Sequence, residues 1–409
     1  MSARALPAHP TLRLRDVFPR HRQDLRAIHA PHALHLTHNA RGAFYQLLQH
    51  LPAQKGRTVL LPAFHCTALV EPVTQAGYQV LFYRIRHDFS PDFDDIRLKM
   101  SSDVAVLVAI HYFGFPTDMQ PFRQVAEMYA AYVVEDCAHS FLSRQGQQRV
   151  GHQGDFALFS YYKFAPSLAG GGLGINTADF SAPFVSETLP LRERIVLAKR
   201  LAEQILANSP KNPVSRILLA LEQTRVASRK QPEAGPTSNS EFLDDPYLFR
   251  KDVALAAIPG LCQAILESCH WENMLLARQR NYRLIANLLT ATESIRPIFP
   301  ALPEAVCPWA FPVLVTNRAA HDYRLRALGV PLYTFGEVLH RSLSSFHDQA
   351  RADAEYLSQR TMLLPVHAQL TESDVRRFVE TVNQYFEKLA LVANETSDQG
   401  GVRMAATKN

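Results

Sequence analysis

Six short apolar runs, separated by stretches with helical patterning, constrain this chain more than any other feature. They are TVLLP (58–62), QVLFYRI (79–85), VAVLVAI (104–110), YVVED (132–136), FALFSYY (156–162) and GLGIN (172–176). Their apolar character is continuous rather than alternating, which marks strands covered on both faces. GAFYQLLQHL, ALVEPVTQAG and PFRQVAEMYAAY, in the gaps, read as the covering helices. Strands that alternate with helices in this way form a mostly parallel sheet, so the fold class is α/β.

The texture changes after the glycines at 170–172. LPLRERIVLAKRLAEQILAN (189–208) and VSRILLALEQTRVASRK have the spacing of amphipathic helices, and QPEAGPTSNS (231–240) has the composition of a linker. From Asp252 a long helix or helix pair is expected, then strands at FPVLVT and PLYT. The final helix opens on a capping signal from Thr371 to Asp374, with Val375, Phe378, Val379 and Val382 at helical spacing. The expected organisation is an N-terminal arm (1–30), a large domain (31–245) with a helical insertion at about 177–240, a small C-terminal α+β domain (246–392) and a disordered tail (393–409).

At 409 residues and 47% hydrophobic, the chain can bury more than one core. Lys and Arg exceed Asp and Glu only by 43 to 38, a balance that gives nucleic-acid binding no support. Five scattered cysteines without a C-x-x-C pair suggest reduced thiols, with neither a disulfide framework nor a metal site. No apolar run is long enough for a membrane helix and the first residues lack a signal-like core, so a cytoplasmic protein without membrane contact is expected.

In an open α/β sheet, ligands collect beyond the carboxyl ends of the strands. Asp136 closes YVVED, His139 follows three residues on, and Ser160 lies near the end of FALFSYY. HNARGAF places Ala40, Arg41 and Gly42 in the first turn of a helix, where free N–H groups and the dipole attract an anion. Lys163 is the only lysine between Lys99 and Lys199. A strand-end carboxylate, a phosphate cradle and one lysine are what pyridoxal phosphate requires: the acid keeps the ring nitrogen protonated, and the lysine forms an imine and moves the proton. Each residue also has an ordinary reading. Asp136 could cap a helix, His139 and Ser160 could be satisfied core groups, and NARG could be a surface turn.

Several segments, taken in order, resemble the DegT/DnrJ/EryC1/StrS family of sugar aminotransferases, a branch of fold-type I. LLPAFHCTALVEPVTQAGYQVLFYRI, AIHYFGFPTDM, VVEDCAHS, VGHQGDFALFS and LLPVHAQLTESDV are each similar to a family motif. The resemblance implies a large domain with a mostly parallel sheet flanked by helices and a smaller α+β domain. It also implies pyridoxal phosphate, amino transfer from glutamate to a nucleotide-linked keto sugar in polysaccharide or secondary-metabolite synthesis, and a homodimer. Residue by residue, Asp136 becomes the ring-nitrogen partner, His139 a neighbour of the ring, Ser160 with Ala40, Arg41 and Gly42 the phosphate site, and Lys163 the catalytic lysine.

The chain also departs from the family pattern. The family's lysine falls five residues after the serine, a place held here by Ala165; Lys163 comes two residues early, an even shift that leaves it on the same side of an extended chain. The aromatic that covers the cofactor ring falls on Cys66, leaving His65 or a residue from elsewhere to cover it. Two alternatives stand beside the aminotransferase: a non-catalytic descendant that keeps the fold for binding, and a sugar dehydratase of the same fold.

Overall fold

The computed structural model describes residues 6–17, 23–29, 33–52, 56–178, 180–208, 249–333 and 335–405, with side chains to residue 391 in the last helix. VSRILLALEQTRVASRK and QPEAGPTSNS lie outside the described residues, as does most of the expected insertion.

In chain order, the first half contains α1 (Leu25–His29), β1 (Ala33–Thr37), α2 (Ala40–His50), β2 (Thr58–Pro62), α3 (Thr67–Gln75), β3 (Gln79–Tyr83), α4 (Phe93–Lys99), β4 (Val104–Ile110), α5 (Gln120–Met128) and β5 (Tyr132–Asp136). A two-residue ribbon, β6 (Arg144–Gln145) and β7 (Gln148–Arg149), precedes β8 (Phe156–Ser160), β9 (Gly171–Ile175) and α6 (Leu191–Ala207). The second half contains α7 (Lys251–Ala254), α8 (Gly260–Glu267), α9 (Trp271–Leu288), β10 (Ile295–Pro297), β11 (Ala310–Val315), α10 (Arg318–Ala327), α11 (Gln349–Arg360), β12 (Thr361–Pro365) and α12 (Glu372–Ala405).

Seven strands form one sheet in the order β1-β9-β8-β5-β4-β2-β3. The run from β8 to β3 is parallel, and β9 is antiparallel to both its neighbours. β2, β4 and β8 are buried along their whole length, as continuous apolar runs require. The expected α/β sheet is thus present, with two departures. β1 was not anticipated, because ALHLT is short and only partly buried at the sheet edge. The run FALFSYY stops as a strand at Ser160, where the chain tightens into a 3₁₀ turn over Tyr161–Lys163.

A second core packs β10-β11-β12 against α9 and α12, through Tyr282, Ile285, Phe311, Val313, Leu364, Phe378 and Val382 among others. Within α9, Trp271 and Met274 belong to the first core and Tyr282 and Ile285 to the second, and later residues divide between the two, Trp309, Leu314, Tyr333, Leu357 and Leu363 packing in the first. One helix thus runs across both cores. The expected strand PLYT is a single bridge from Tyr333 to Leu363, and β12 takes the sheet position in its place. Where a disordered tail from 393 was expected, the helical backbone of α12 continues to Ala405; elongating a helix already started by its cap requires no new nucleus. Residues of the N-terminal arm lie across the second core. Thr11 exchanges hydrogen bonds with Gln369 (2.9 and 2.8 Å), and the His367 ring N–H donates to the Pro7 carbonyl at 3.0 Å.

Candidate active site

Parallel strands end on one edge of the sheet, and that edge is where the sequence-selected residues meet. β5 delivers Glu135 and Asp136 side by side, and alternation along a strand sends them to opposite faces. Glu135 is fully buried and accepts from the ring of His111 (3.0 Å) and from the backbone N–H groups of Gly151 (2.8 Å), Gln153 (2.6 Å) and Gly154 (2.6 Å). Burial works against its charge, but His111 and these N–H groups hold its pKa below the ordinary carboxylate value. The other nitrogen of His111 accepts from the Thr117 N–H at 2.9 Å, which fixes the ring proton on the nitrogen facing Glu135. His111, Glu135 and Cys137 are close enough together to suggest a metal centre. The first two are already committed to each other, and burial pushes the Cys137 thiol well up, so the cluster is structural.

Asp136, on the opposite face, has much less. One carboxylate oxygen accepts from the Ala138 N–H at 2.9 Å. Burial raises its pKa, opposed first by the charge of Lys163. His139 is 2% exposed, and among the described residues neither ring nitrogen has a hydrogen-bond partner. Trp309 stacks on one face of that ring at 3.9 Å, Phe113 lies nearly parallel at 5.9 Å, and Phe335 meets it edge-on at 4.6 Å. Burial, reinforced by Lys163, holds His139 well below the ordinary histidine pKa. Phe113 itself adopts φ 57°, a left-handed conformation that is strained for a bulky residue. The corner is held because the Trp309 N–H donates to its carbonyl at 2.8 Å. The next residue, Gly114 (φ 110°), approaches so closely that a Cβ would lie 2.4 Å from the Cys307 carbonyl oxygen.

Lys163 reaches this cluster from the 3₁₀ turn, its Nζ 5.3 Å from the centre of the Trp309 ring. An extended chain was expected to carry it there; the turn does so instead, rising about 2 Å per residue against roughly 3.3 Å in a strand. Ala165, at the family's lysine position, is fully buried in the first core. The flanking tyrosines do not enclose the amine. Tyr161 packs inward on Phe141 at 5.0 Å and Tyr162 is 37% exposed. The aromatic beside the amine is Trp309, which sequence reasoning missed; its signal was a tryptophan directly before the apolar run AFPVLV.

Ser160 is buried at the end of β8 and pairs with Gly171 across to β9. Gly171 in turn touches the start of α2 so closely that a Cβ would lie 2.2 Å from the Asn39 carbonyl carbon and 2.3 Å from the Ala40 nitrogen. Ser160 and the start of α2 therefore lie on either side of Gly171. The cradle differs from expectation in one donor: the side chain of Asn39 caps the helix by accepting from the Gly42 N–H at 2.9 Å. Cys66 stands partly buried at the start of α3. His65 turns away from the site. It stacks on Phe82 at 5.0 Å, its ring lies 3.2 Å from the Pro62 carbonyl, and it accepts from the His340 N–H at 3.3 Å, so it covers nothing at the ring position.

A partly buried strand-end carboxylate, a lysine, an orphaned buried imidazole and a hydroxyl beside a helix start are a donor set that fits pyridoxal phosphate. Residues 23–179 match the model of the DegT/DnrJ/EryC1/StrS aminotransferase family. The chain is 24% identical over 172 residues to the GDP-perosamine synthase of Vibrio cholerae, covering 41% of this chain and 46% of that protein. It is 28% identical over 137 residues to a UDP-N-acetyl-3-dehydro-alpha-D-glucosamine 3-aminotransferase of Acidithiobacillus ferrooxidans, covering 32% of this chain and 36% of the relative. The matched stretch thus spans less than half the length of these relatives. Among solved structures, the fold is similar to that of the aminotransferase TlmJ from Streptoalloteichus hindustanus (TM-score 0.65, 18% identity, 93% of this chain and 98% of that one). It is likewise similar to Helicobacter pylori PseC, an aminotransferase involved in pseudaminic acid biosynthesis (TM-score 0.64, 13% identity, the same coverage). The family match covers residues 23–179, the stretch that carries Asp136, His139, Ser160 and Lys163.

Proposed function

We propose that this protein is a pyridoxal-phosphate-dependent aminotransferase that moves an amino group from glutamate to a keto sugar carried on a nucleotide, as a cytoplasmic homodimer. The observation that carries the reading is the convergence of Asp136, His139 and Lys163 at the carboxyl edge of the sheet, with polar groups there that the fold leaves without partners. The names of the Vibrio cholerae and Acidithiobacillus ferrooxidans relatives, which refer to nucleotide-linked sugars, support the substrate class.

The cofactor, when bound, supplies an electron sink for the carbon that loses a proton. The chain's own residues do the rest. The second oxygen of Asp136 accepts a hydrogen bond from the protonated ring nitrogen, and the buried surroundings strengthen that bond. His139, held neutral, offers a ring nitrogen to the cofactor's edge. Ser160 and the start of α2 hold the phosphate. With the cofactor bound, Lys163 would hold and move the proton at Nζ, and Trp309 and Phe335 would exclude water from it. The orphaned nitrogens of His139 weigh against a binding-only descendant, which needs no such group. A sugar dehydratase of this fold would need a histidine at the family's lysine position, and the residue there, Ala165, is fully buried in the core.

The test is spectroscopic and chemical. With pyridoxal phosphate the protein turns yellow, bleaches on addition of glutamate, and carries the cofactor on Lys163 after borohydride. Lys163→Ala loses the label and at least about 10³-fold of the transfer rate. A folded protein that stays colourless at saturating cofactor overturns the reading, and product analysis on a panel of keto sugars decides the acceptor.

A further inference from the structure

Arg278, on α9, is 0% exposed and takes no part in the chemistry above. Its guanidinium donates four hydrogen bonds, all to backbone carbonyls. Nη1 reaches Pro308 (3.2 Å) and Trp309 (3.1 Å), and Nη2 reaches Lys163 (3.4 Å) and Phe164 (3.2 Å). The group lies 4.7 Å over the ring of Phe164. Burial pushes its pKa down, and the groups that act against that are Tyr333 and Cys307, neither of them a carboxylate. A buried cation without an acid is costly to keep, and this one holds two chain segments at once. One segment closes the turn that carries Lys163; the other leads into β11 and carries Trp309. Those two residues meet beside His139.

We infer that Arg278 is a positioning residue for Lys163. By tying the carbonyls of Lys163 and Phe164 to those of Pro308 and Trp309, it stations the amine at the Asp136–His139 site and so compensates the two-residue offset from the family's lysine position. The inference rests on the aminotransferase reading only through the role given to Lys163. The neighbouring Gln279 provides the contrast, because its amide donates to the carbonyls of Glu304 (2.6 Å) and Val306 (2.9 Å) and does not reach the lysine turn.

The experiment compares wild type, Arg278→Met, Arg278→Lys and Gln279→Ala, each checked for a cooperative thermal transition. Two readouts are taken on Lys163 by peptide mapping: the rate of borohydride-fixed labelling with pyridoxal phosphate, and trace acetylation of the cofactor-free protein. In Arg278→Met the labelling rate falls about 10- to 100-fold, the range expected when a reacting group is displaced by about an ångström. Trace acetylation of Lys163 changes relative to the other lysines. Arg278→Lys, which keeps the charge but cannot span both segments, falls between. Gln279→Ala melts at lower temperature with both lysine readouts unchanged, as a merely structural loss would. Wild-type rates in a folded Arg278→Met, or in Arg278→Lys if the former does not fold, overturn the positioning role. A wild-type protein that is never labelled at Lys163 overturns the aminotransferase reading instead, and trace acetylation still decides the role of Arg278.

Discussion

Glu135 and Asp136 are neighbours on one strand, yet the two faces they enter are finished to different degrees. On the Glu135 face the carboxylate has its donors: one imidazole and three backbone N–H groups converge on it. On the Asp136 face a single N–H meets the acid, and the histidine three residues on has none for either nitrogen. Unmet buried polar groups cost a fold stability, typically about 1–3 kcal/mol each. A chain that completes one network and leaves the adjacent one open has kept the second for something that arrives later. Glu135 therefore belongs to the architecture, and in the proposed function Asp136 serves the ligand.

The sharpest way to break this comparison is to remove each acid in turn. Glu135→Gln turns an amide NH₂ toward backbone donors and strands at least one of them, so the variant is expected to lose about 3 kcal/mol, read as a lower urea midpoint. Stability equal to wild type would mean that this face is not finished at all. Asp136→Asn should change the stability of the cofactor-free protein by no more than about 1 kcal/mol, since burial already opposes its charge. Cofactor retention, followed by absorbance through dialysis, falls about 10-fold or more, one lost charge-assisted hydrogen bond.

A pH series tests the same contrast through histidines. His139 is held well below the ordinary value, His65 at about 4 and His367 at about 3, in each case chiefly by burial. Depressed folded-state values place their stabilising contribution above the unfolded value of about 6.5, and it is lost as pH falls from there toward 4 and 3. Below pH 6 each takes up about one proton on unfolding, a slope of about 1.4 kcal/mol per pH unit per site. Urea unfolding at pH 7.5, 6 and 5 should show that slope, reduced by about one proton in His367→Gln. Cofactor retention should weaken on acidification at a higher pH than an ordinary carboxylate would cause, because burial raises the Asp136 pKa. The smallest expected effect is that of Cys66→Phe, which returns an aromatic to the ring-covering position and slows cofactor release about 3-fold, the worth of one aromatic contact.

Much of this was legible before any coordinates. Continuous apolar runs gave four strands to within a residue, because a strand buried on both faces leaves no other pattern. The positions of Asp136 and Ser160 at strand ends, where open sheets gather ligands, were legible from the same runs. Other features were not legible because they depend on tertiary contact rather than local pattern. Trp309 arrives from residues far down the chain, and the 3₁₀ turn at Lys163 is closed by carbonyls that Arg278 captures from another helix. The cap of Asn39 on Gly42 could have been read from an asparagine preceding a helix, but the appeal of a free helix start obscured it. His65 was a candidate cover only by position, and its turn toward Phe82 and His340 follows from contacts with the far side of the molecule.

The close passage of Gly171 past Asn39 and Ala40 separates what can drift in such a site from what cannot. Where backbone meets backbone, a single added carbon has nowhere to go, and a one-residue slip of β9 would turn every side chain on it to the wrong face. The serine-to-glycine interval is thus rigid. A lysine has a four-carbon tether and needs only that its tip arrive, so its place in the sequence can move along the turn if another residue re-aims it. Lysine spacing alone is consequently a poor yardstick for chains of this kind; the dependable ruler is the distance between the hydroxyl and the glycines.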